Sequence, residues 1–295
     1  MRFVVFGLAK YRKSGSLAKR KRKPDCSRME NACGISTFRD MAKADFYSFF
    51  SEYFGERWNA LLPALRGETV YGTIRYPGKE PYFLDEASCF AAESLGVNPG
   101  MDVLDMCAAP GGKTLVLAGC LAGKGSLQSN DRSPDRRLRL SHNVENTLPE
   151  NLAAVVKVSG YDGMRFGMFR KEAFDRILLD APCSSERHVM ESEKYLAEWS
   201  PKRIAHIAVT QGALLASAVD ALKPGGQLVY STCALTRMEN DDVVRKILKK
   251  RKGKVRVLEL SPEIPGTDVT EFGLQMLPDR CGGRGPIYCA KLEKI

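Results

Sequence analysis

The sequence predicts an α/β protein. Its core is a mostly parallel seven-stranded sheet with helices on both faces, preceded by a small N-terminal helical subdomain. Three observations predict this. From about residue 83, short apolar runs alternate with longer helical stretches, the pattern of strand–helix–strand units. A turn of small residues, AAPGG (108–112), stands between the first of these runs and the helix after it. Acids and cysteines gather just past the ends of the runs, where open parallel sheets bind ligands.

The elements follow in order. Residues 1–40 form a basic segment, expected to be disordered. Residues 1–43 hold twelve lysines and arginines against three acids, a net of +9, so the other 252 residues carry only +1 of the chain's +10. Such a segment reads as a nucleic-acid arm, a solvated tail or a transit peptide. Residues 41–82 form a helical subdomain and connector. Phe46, Phe49, Phe50, Tyr53, Phe54, Trp58 and Leu61 recur at helical spacing over 44–66, a stripe read as core packing rather than a base-stacking platform. Gly67, Gly72, Pro77, Gly78 and Pro81 mark 67–82 as a connector.

The large domain spans 83–295. Its strands are expected at MDVLDMC (101–107), GSLQSND (125–131), AAVVKVS (153–159), FDRILLD (174–180), GQLVYSTC (226–233), VRVLEL (255–260) and PIYCAKLEK (286–294). Helices are expected at 113–122, 134–148, 203–222 and 239–251. No uninterrupted apolar run approaches the ~18 residues of a membrane helix, so no membrane partner is expected. Nine cysteines without a CxxC pair, and only three histidines, give no zinc-ligand spacing and no metal site. The odd cysteine count, with no secretory leader, reads as a reducing compartment.

The first strand runs into Asp105, then Met106-Cys107-Ala108-Ala109-Pro110-Gly111-Gly112-Lys113-Thr114. Small residues let a ligand approach the backbone, and the following helix opens with free amides. The loop is neither GxGxxG nor a GxxxxGKS/T phosphate loop. Asp131 ends the second strand, where an acid accepts hydrogen bonds from ribose hydroxyls. Asp162 and Gly163 follow the third strand and border the space for an adenine. A nucleoside with a cationic sulfonium tail fits these ends better than a dinucleotide. The fourth strand leads into Asp180-Ala181-Pro182-Cys183 and the fifth into Ser231-Thr232-Cys233. Two thiols and a carboxylate in one cleft are a set for covalent catalysis.

CAAPGGKT, DAPC and STC, in that order and spacing, resemble the Sun-domain family of RNA cytosine-5 methyltransferases. PYFLDEAS (81–88), LKPGG (222–226) and MEND (238–241) extend the resemblance over about residues 44–294. The FGERW segment and the ERH after Cys183 are similar to the short branch that includes the mitochondrial ribosomal-RNA enzymes. Ala234 departs from the family's usual serine, and Arg237-Met238-Glu239-Asn240 from its Pro-Glu-Glu-Asn.

The resemblance implies a Rossmann-like class I methyltransferase fold and S-adenosyl-L-methionine as methyl donor. It implies methylation of carbon 5 of cytosine in RNA, with ribosomal RNA favoured over transfer RNA. Cys233 is then the nucleophile, Asp180 the group on ring nitrogen 3 and the exocyclic amine, and Cys183 the residue that assists product release. Cys107, Ala108, Ala109, Pro110, Gly111, Gly112, Lys113, Asp131, Arg136, Asp162, Gly163 and Asp180 border the cofactor. Arg136 orients the Asp131 region, and Lys113 meets the cofactor's carboxylate. Residues 41–82 serve RNA recognition, a protein partner aids targeting, and the catalytic unit is monomeric. The short chain leaves no room for the added RNA-binding domains of many bacterial relatives. The compartment is the cytoplasm if the source is bacterial and the mitochondrion if it is eukaryotic. Two rivals are an idle RNA-binding assembly factor, disfavoured by the intact Asp180, Cys183 and Cys233, and an amino-group methyltransferase, disfavoured by DAPC in place of an Asn/Asp-Pro-Pro-aromatic loop.

Overall fold

Residues 45–295 are described by a computed structural model. The basic segment 1–40 and residues 41–44 lie outside the described residues. Helix α1 (Phe46–Phe54) begins at Asp45, whose carboxylate accepts from the amides of Tyr47 and Ser48 at 3.0 and 3.1 Å. A single 3₁₀ turn (Gly55–Arg57) joins it to α2 (Trp58–Arg66). The aromatic stripe is packing, as expected. Phe46, Phe49, Phe50, Trp58, Leu61 and Leu65 are buried with Trp199, Ile204, Leu235 and Leu277. Arg57 clamps the helices onto the far end of the chain, with Nε and Nη2 on Asp279 at 2.7 and 3.0 Å and Nη1 on Asp268 at 2.6 Å.

The expected connector contains more structure than its glycines and prolines suggest. Strands β1 (Tyr71–Ile74) and β2 (Tyr82–Asp85) pair antiparallel as a separate small sheet. Four-residue strands carry too little periodicity to be read. Asp85 then caps α3 (Glu86–Glu93), accepting from the Ala87 amide at 2.7 Å.

Residues 83–295 follow the expected alternation. The elements after α3 are β3 (Asp102–Asp105), α4 (Gly112–Leu121), β4 (Ser126–Asn130), α5 (Pro134–Thr147), α6 (Glu150–Ala153), β5 (Val156–Ser159), α7 (Phe166–Phe169) and β6 (Phe174–Asp180). There follow α8 (Glu186–Val189), α9 (Glu193–Glu198), α10 (Pro201–Ala221), β7 (Leu222–Thr232) and α11 (Asp241–Lys250). The chain ends with β8 (Val255–Leu258), β9 (Asp268–Val269), β10 (Leu274–Met276) and β11 (Ile287–Lys294). Strands β5-β4-β3-β6-β7 are parallel; β11, β10 and β9 continue the sheet antiparallel, and β8 pairs with β11.

Among the described residues the sheet thus has nine strands, not seven. All seven expected strands are present, and the additional two, β9 and β10, are only two and three residues long. LKPGG belongs to β7 itself, which begins at Leu222 and reaches regular pairing at Gln227 after an irregularity.

Alternation sorts each central strand between two cores. Leu178 and Val229 join Leu115, Leu117, Leu127 and Leu140 on one face of the sheet. Ile177, Leu179, Leu228 and Tyr230 join Leu215, Val219 and Val244 on the other. Helix α10 is long and apolar enough by composition to cross a membrane. Here Ile204, Ala208, Leu214, Leu215, Ala218 and Val219 are buried in the protein, as in the central helix of a packed domain. Strand order reverses direction between β3 and β6, so the ligand crevice is expected beyond their carboxyl ends.

Candidate active site

The loop after β3 is held by one face of α5. Residues 136, 140 and 143 lie one turn apart on that helix. Arg136 donates to the Ala109 carbonyl, and Asn143 to the Pro110 carbonyl at 2.8 Å. Leu140 packs so closely that a Cβ on Gly111 would come within 2.9 Å of its Cδ1. Gly111 also has φ +114°, which a side chain would strain. At Gly112, where α4 begins, a Cβ would come within 2.8 Å of Leu84 and 2.9 Å of Tyr82. The glycines are therefore required for packing, whatever the crevice holds.

Asp131 is 3% exposed and anchors two loops. Its Oδ2 accepts from the Ala109 amide at 3.3 Å and its Oδ1 from the Ser133 amide at 3.0 Å. Arg136 Nη1 lies 3.2 Å from Oδ2. Asp162 caps a single turn at Gly163–Arg165, accepting from the Met164 amide at 3.1 Å. Gly163 is buried, and a Cβ there would strike Leu214 at 2.8 Å. Burial pushes the Cys107 thiol well up, with the carboxylates of Asp105, Asp131 and Asp180 adding to the effect.

Two residues in this half were not singled out from the sequence. Asn130 donates to the carbonyls of Met106 and Tyr161 at 3.1 and 3.0 Å and accepts from the Tyr161 amide at 2.8 Å. It ties the loops after β3 and β5 together. Asp105 is fully buried and accepts from Thr114 Oγ1 at 2.7 Å. Its other oxygen has no hydrogen-bond partner among the described residues. Burial, reinforced by the charges of Asp180 and Asp131, pushes its pKa up to about 7. A strand-end acid nine residues before a threonine is the only sequence signal for this contact.

The second half of the site lies beyond β6 and β7. Asp180 stands opposite Ser231 in the parallel ladder. Ser231 Oγ donates to Asp180 Oδ1, and Lys113 Nζ donates to Asp180 Oδ2, both at 2.7 Å. The Lys113 ammonium is thus engaged by Asp180 through one of its three donors. Burial opposes its charge, but Asp180 outweighs that and holds its pKa above the ordinary lysine value.

The chain brings both cysteines to the same edge. Cys183 Sγ and Cys233 Sγ are 2.7 Å apart, and the Cys233 amide lies 3.4 Å from Cys183 Sγ. Contact with Cys233, then burial, pushes the Cys183 thiol well above its ordinary value. Ser185 Oγ lies 3.1 Å from Cys233 Sγ and 3.4 Å from Cys183 Sγ.

Behind the thiols is a buried carboxyl pair. Ser184 Oγ bonds to both Glu186 and Glu239. Glu239 Oε2 also accepts from the Ser184 amide at 2.9 Å and from Gln211 Nε2 at 2.8 Å. Glu186 Oε2 accepts from the Leu235 amide at 3.1 Å. Burial, with Glu239 beside it, pushes the Glu186 pKa up to about 7. Asn240 completes the support. It accepts from Thr232 Oγ1 at 2.6 Å and donates to the Ala234 carbonyl at 3.1 Å. The loop after Cys233 therefore rests on the Glu-Asn pair that the sequence presents in MEND.

The family model for the 16S rRNA methyltransferase RsmB/F matches residues 92–293. The chain belongs to the RsmB/F methyltransferase family. A mitochondrial tRNA (cytosine(34)-C(5))-methyltransferase from Mus musculus is 36% identical over 225 residues, 73% of this chain and 64% of that protein. A ribosomal RNA small subunit methyltransferase F from Cronobacter sakazakii is 39% identical over 219 residues, 72% of this chain and 45% of that protein. The chain thus spans 45% to 64% of these two curated relatives. The crystal structure of NSun6 from Pyrococcus horikoshii with SFG shares 29% identity and a TM-score of 0.62 over 72% of this chain and 53% of that one. The RsmB/F match contains the glycine loop, DAPC and STC, so the residues gathered here lie inside the family's own region.

Proposed function

We propose that this RsmB/F-family chain methylates carbon 5 of cytosine in RNA through a covalent cysteine–cytosine adduct, with S-adenosylmethionine as donor. The observation that carries the reading is the meeting of Cys183 and Cys233, from neighbouring strand ends, beside the Asp180 carboxylate. Two thiols in contact at a carboxylate suit a reaction in which one attacks and the other helps undo the attack.

The crevice residues fit the cofactor. Asp105, Asp131 and Asp180 interact electrostatically, and Lys113 is neutralised by Asp180. Such a site repels a pyrophosphate and favours a cationic ligand. The unpartnered oxygen of Asp105 is a free acceptor for a cationic group. Asp131 and Arg136 would hold the ribose end, Asp162 and Gly163 the adenine end, and the 107–113 loop the tail. When bound, S-adenosylmethionine supplies an electrophilic methyl group.

The chain's residues do the rest. Cys233 Sγ adds to carbon 6 of the cytosine and makes carbon 5 electron-rich. Asp180, with both oxygens already fixed by Lys113 and Ser231, meets ring nitrogen 3 and the exocyclic amine, where the adduct's charge collects. Cys183 serves product release: as a thiolate at that step its sulfur accepts the carbon-5 proton, the carbon 5–carbon 6 double bond re-forms, and the carbon–sulfur bond breaks with its electrons returning to Cys233. The target base must leave its stack to reach these groups.

Ribosomal RNA is the proposed substrate class, in keeping with the RsmB/F description and the bacterial relative. The helices of the 45–82 segment lie over the loop after Cys233, which supports a part in RNA recognition. A monomeric catalytic unit with a partner for targeting completes the proposal, in the cytoplasm of a bacterium or in a mitochondrion. The test is transfer of labelled methyl from S-adenosylmethionine to small-subunit ribosomal RNA and to transfer RNA. Label at cytosine carbon 5 in ribosomal RNA alone is expected. Label in transfer RNA alone would overturn the substrate class, and label on an exocyclic amine the reaction.

A further inference from the structure

Ser185 sits where the backbone resists a side chain. Its φ of +53° lies in the left-handed region, which glycine adopts freely and other residues at a cost of about 1 kcal/mol. Only Ala122 and Glu172 share this among the described non-glycine residues. The loop on both sides is fixed. Ser184 is bound to the carboxyl pair, Glu186 is fully buried, and the Ser185 carbonyl accepts from the Val189 amide at 3.0 Å. Unfavourable backbone geometry that persists inside a rigid loop points to a use for the side chain it carries. The hydroxyl of Ser185 is within reach of both sulfurs.

We propose that Ser185 is a catalytic residue whose hydroxyl hydrogen-bonds to Cys233 Sγ and favours the attacking thiolate. The inference rests on the reading of Cys233 as nucleophile. A serine hydroxyl has one proton to donate, and its shorter contact is with Cys233, at 3.1 Å against 3.4 Å. The Cys183 sulfur lies in direct contact with Cys233 Sγ at 2.7 Å. The groups facing this pair are the Lys113 ammonium, the Asp180 carboxylate and the Glu239 carboxyl. No proton leaves Ser185 in the reaction. Its hydrogen bond weakens as the sulfur's charge passes into the ring and re-forms when the carbon–sulfur bond breaks.

The test uses the full chain and iodoacetamide, with alkylation of Cys233 followed by peptide mass spectrometry. Ser185→Gly is the informative variant, because glycine suits φ +53° and removes only the hydroxymethyl group. Ser185→Ala removes the hydroxyl alone. Both are expected to slow alkylation at about pH 7 by about tenfold, the effect of one charge-assisted hydrogen bond. The difference should vanish at about pH 10, where hydroxide ionises the thiol without help. A wild-type rate in Ser185→Gly at pH ~7 would overturn the proposal. So would an equal slowing at every pH, which would mean altered access instead. Alkylation reads the sulfur whether or not methyl is transferred, so failure of the proposed reaction leaves this test intact.

Discussion

Ser231 Oγ donates a 2.7 Å hydrogen bond to Asp180 Oδ1 across the β6–β7 ladder, with Lys113 on the other oxygen. The carboxylate is therefore aimed before any base arrives. Ser231→Ala should leave the fold intact and lower the single-turnover methylation rate about tenfold, the value of one hydrogen bond to a charged group. Unchanged turnover with an unchanged near-ultraviolet circular dichroism spectrum would show that Lys113 alone aims Asp180.

The two thiols should be separable. Cys183→Ala should accumulate a protein–RNA band that survives denaturing electrophoresis, because Cys233 still attacks and the release step is impaired. Cys233→Ala and the double variant should show none. A band in Cys233→Ala but not in Cys183→Ala would exchange the roles.

Asp131 carries the Ala109 and Ser133 amides as well as the proposed ribose contact. Asp131→Ala should weaken S-adenosylmethionine binding by on the order of 100-fold, corresponding to two lost charge-assisted hydrogen bonds. Isothermal titration with equal affinities would remove Asp131 from the cofactor site.

The carboxyl pair gives a pH prediction. The Glu186 pKa is raised from 4.5 to about 7, so folding favours its protonated form. That contribution to stability is complete below the unfolded value and is lost as pH rises through about 7. Glu186→Gln stays neutral. Relative to wild type, it should gain melting temperature between pH ~4.5 and ~8, by on the order of 5 °C. Asp105 has a similar pKa but contributes equally to both proteins. Parallel melting curves across this range would show that Glu186 is not ionised by folding-linked deprotonation.

The parallel half of the sheet was legible because its strands are apolar runs bounded by turns. Asp131, Asp162, Asp180, Cys183 and Cys233 could be found simply by stepping past each run. The small β1–β2 sheet and β9–β10 were hidden, since strands of two to four residues leave no period to detect. Glu186, Glu239 and Ser185 were hidden for another reason. Ser184 and Glu239 are 55 residues apart and Ser185 and Cys233 are 48 apart, and these pairs meet only because β6 and β7 are neighbours, whereas Ser184 and Glu186 meet within one local turn. Lys113 was placed in the correct loop, but its partner was unreadable. The helix start that suggests a bound carboxylate also brings the lysine to Asp180.

The Lys113–Asp180 pair has a consequence for ionic strength. The lysine side chain is only 11% exposed and the aspartate 32%, so dissolved ions reach the pair poorly. Attraction between the chain and an RNA backbone is of the opposite kind, because it displaces counterions and weakens steeply as salt rises. Added potassium chloride should therefore act on the two stages unequally. It raises the RNA concentration needed for half-saturation and leaves the rate at saturating RNA nearly level. Salt thus becomes a means of loosening the substrate without disturbing the groups that act on it.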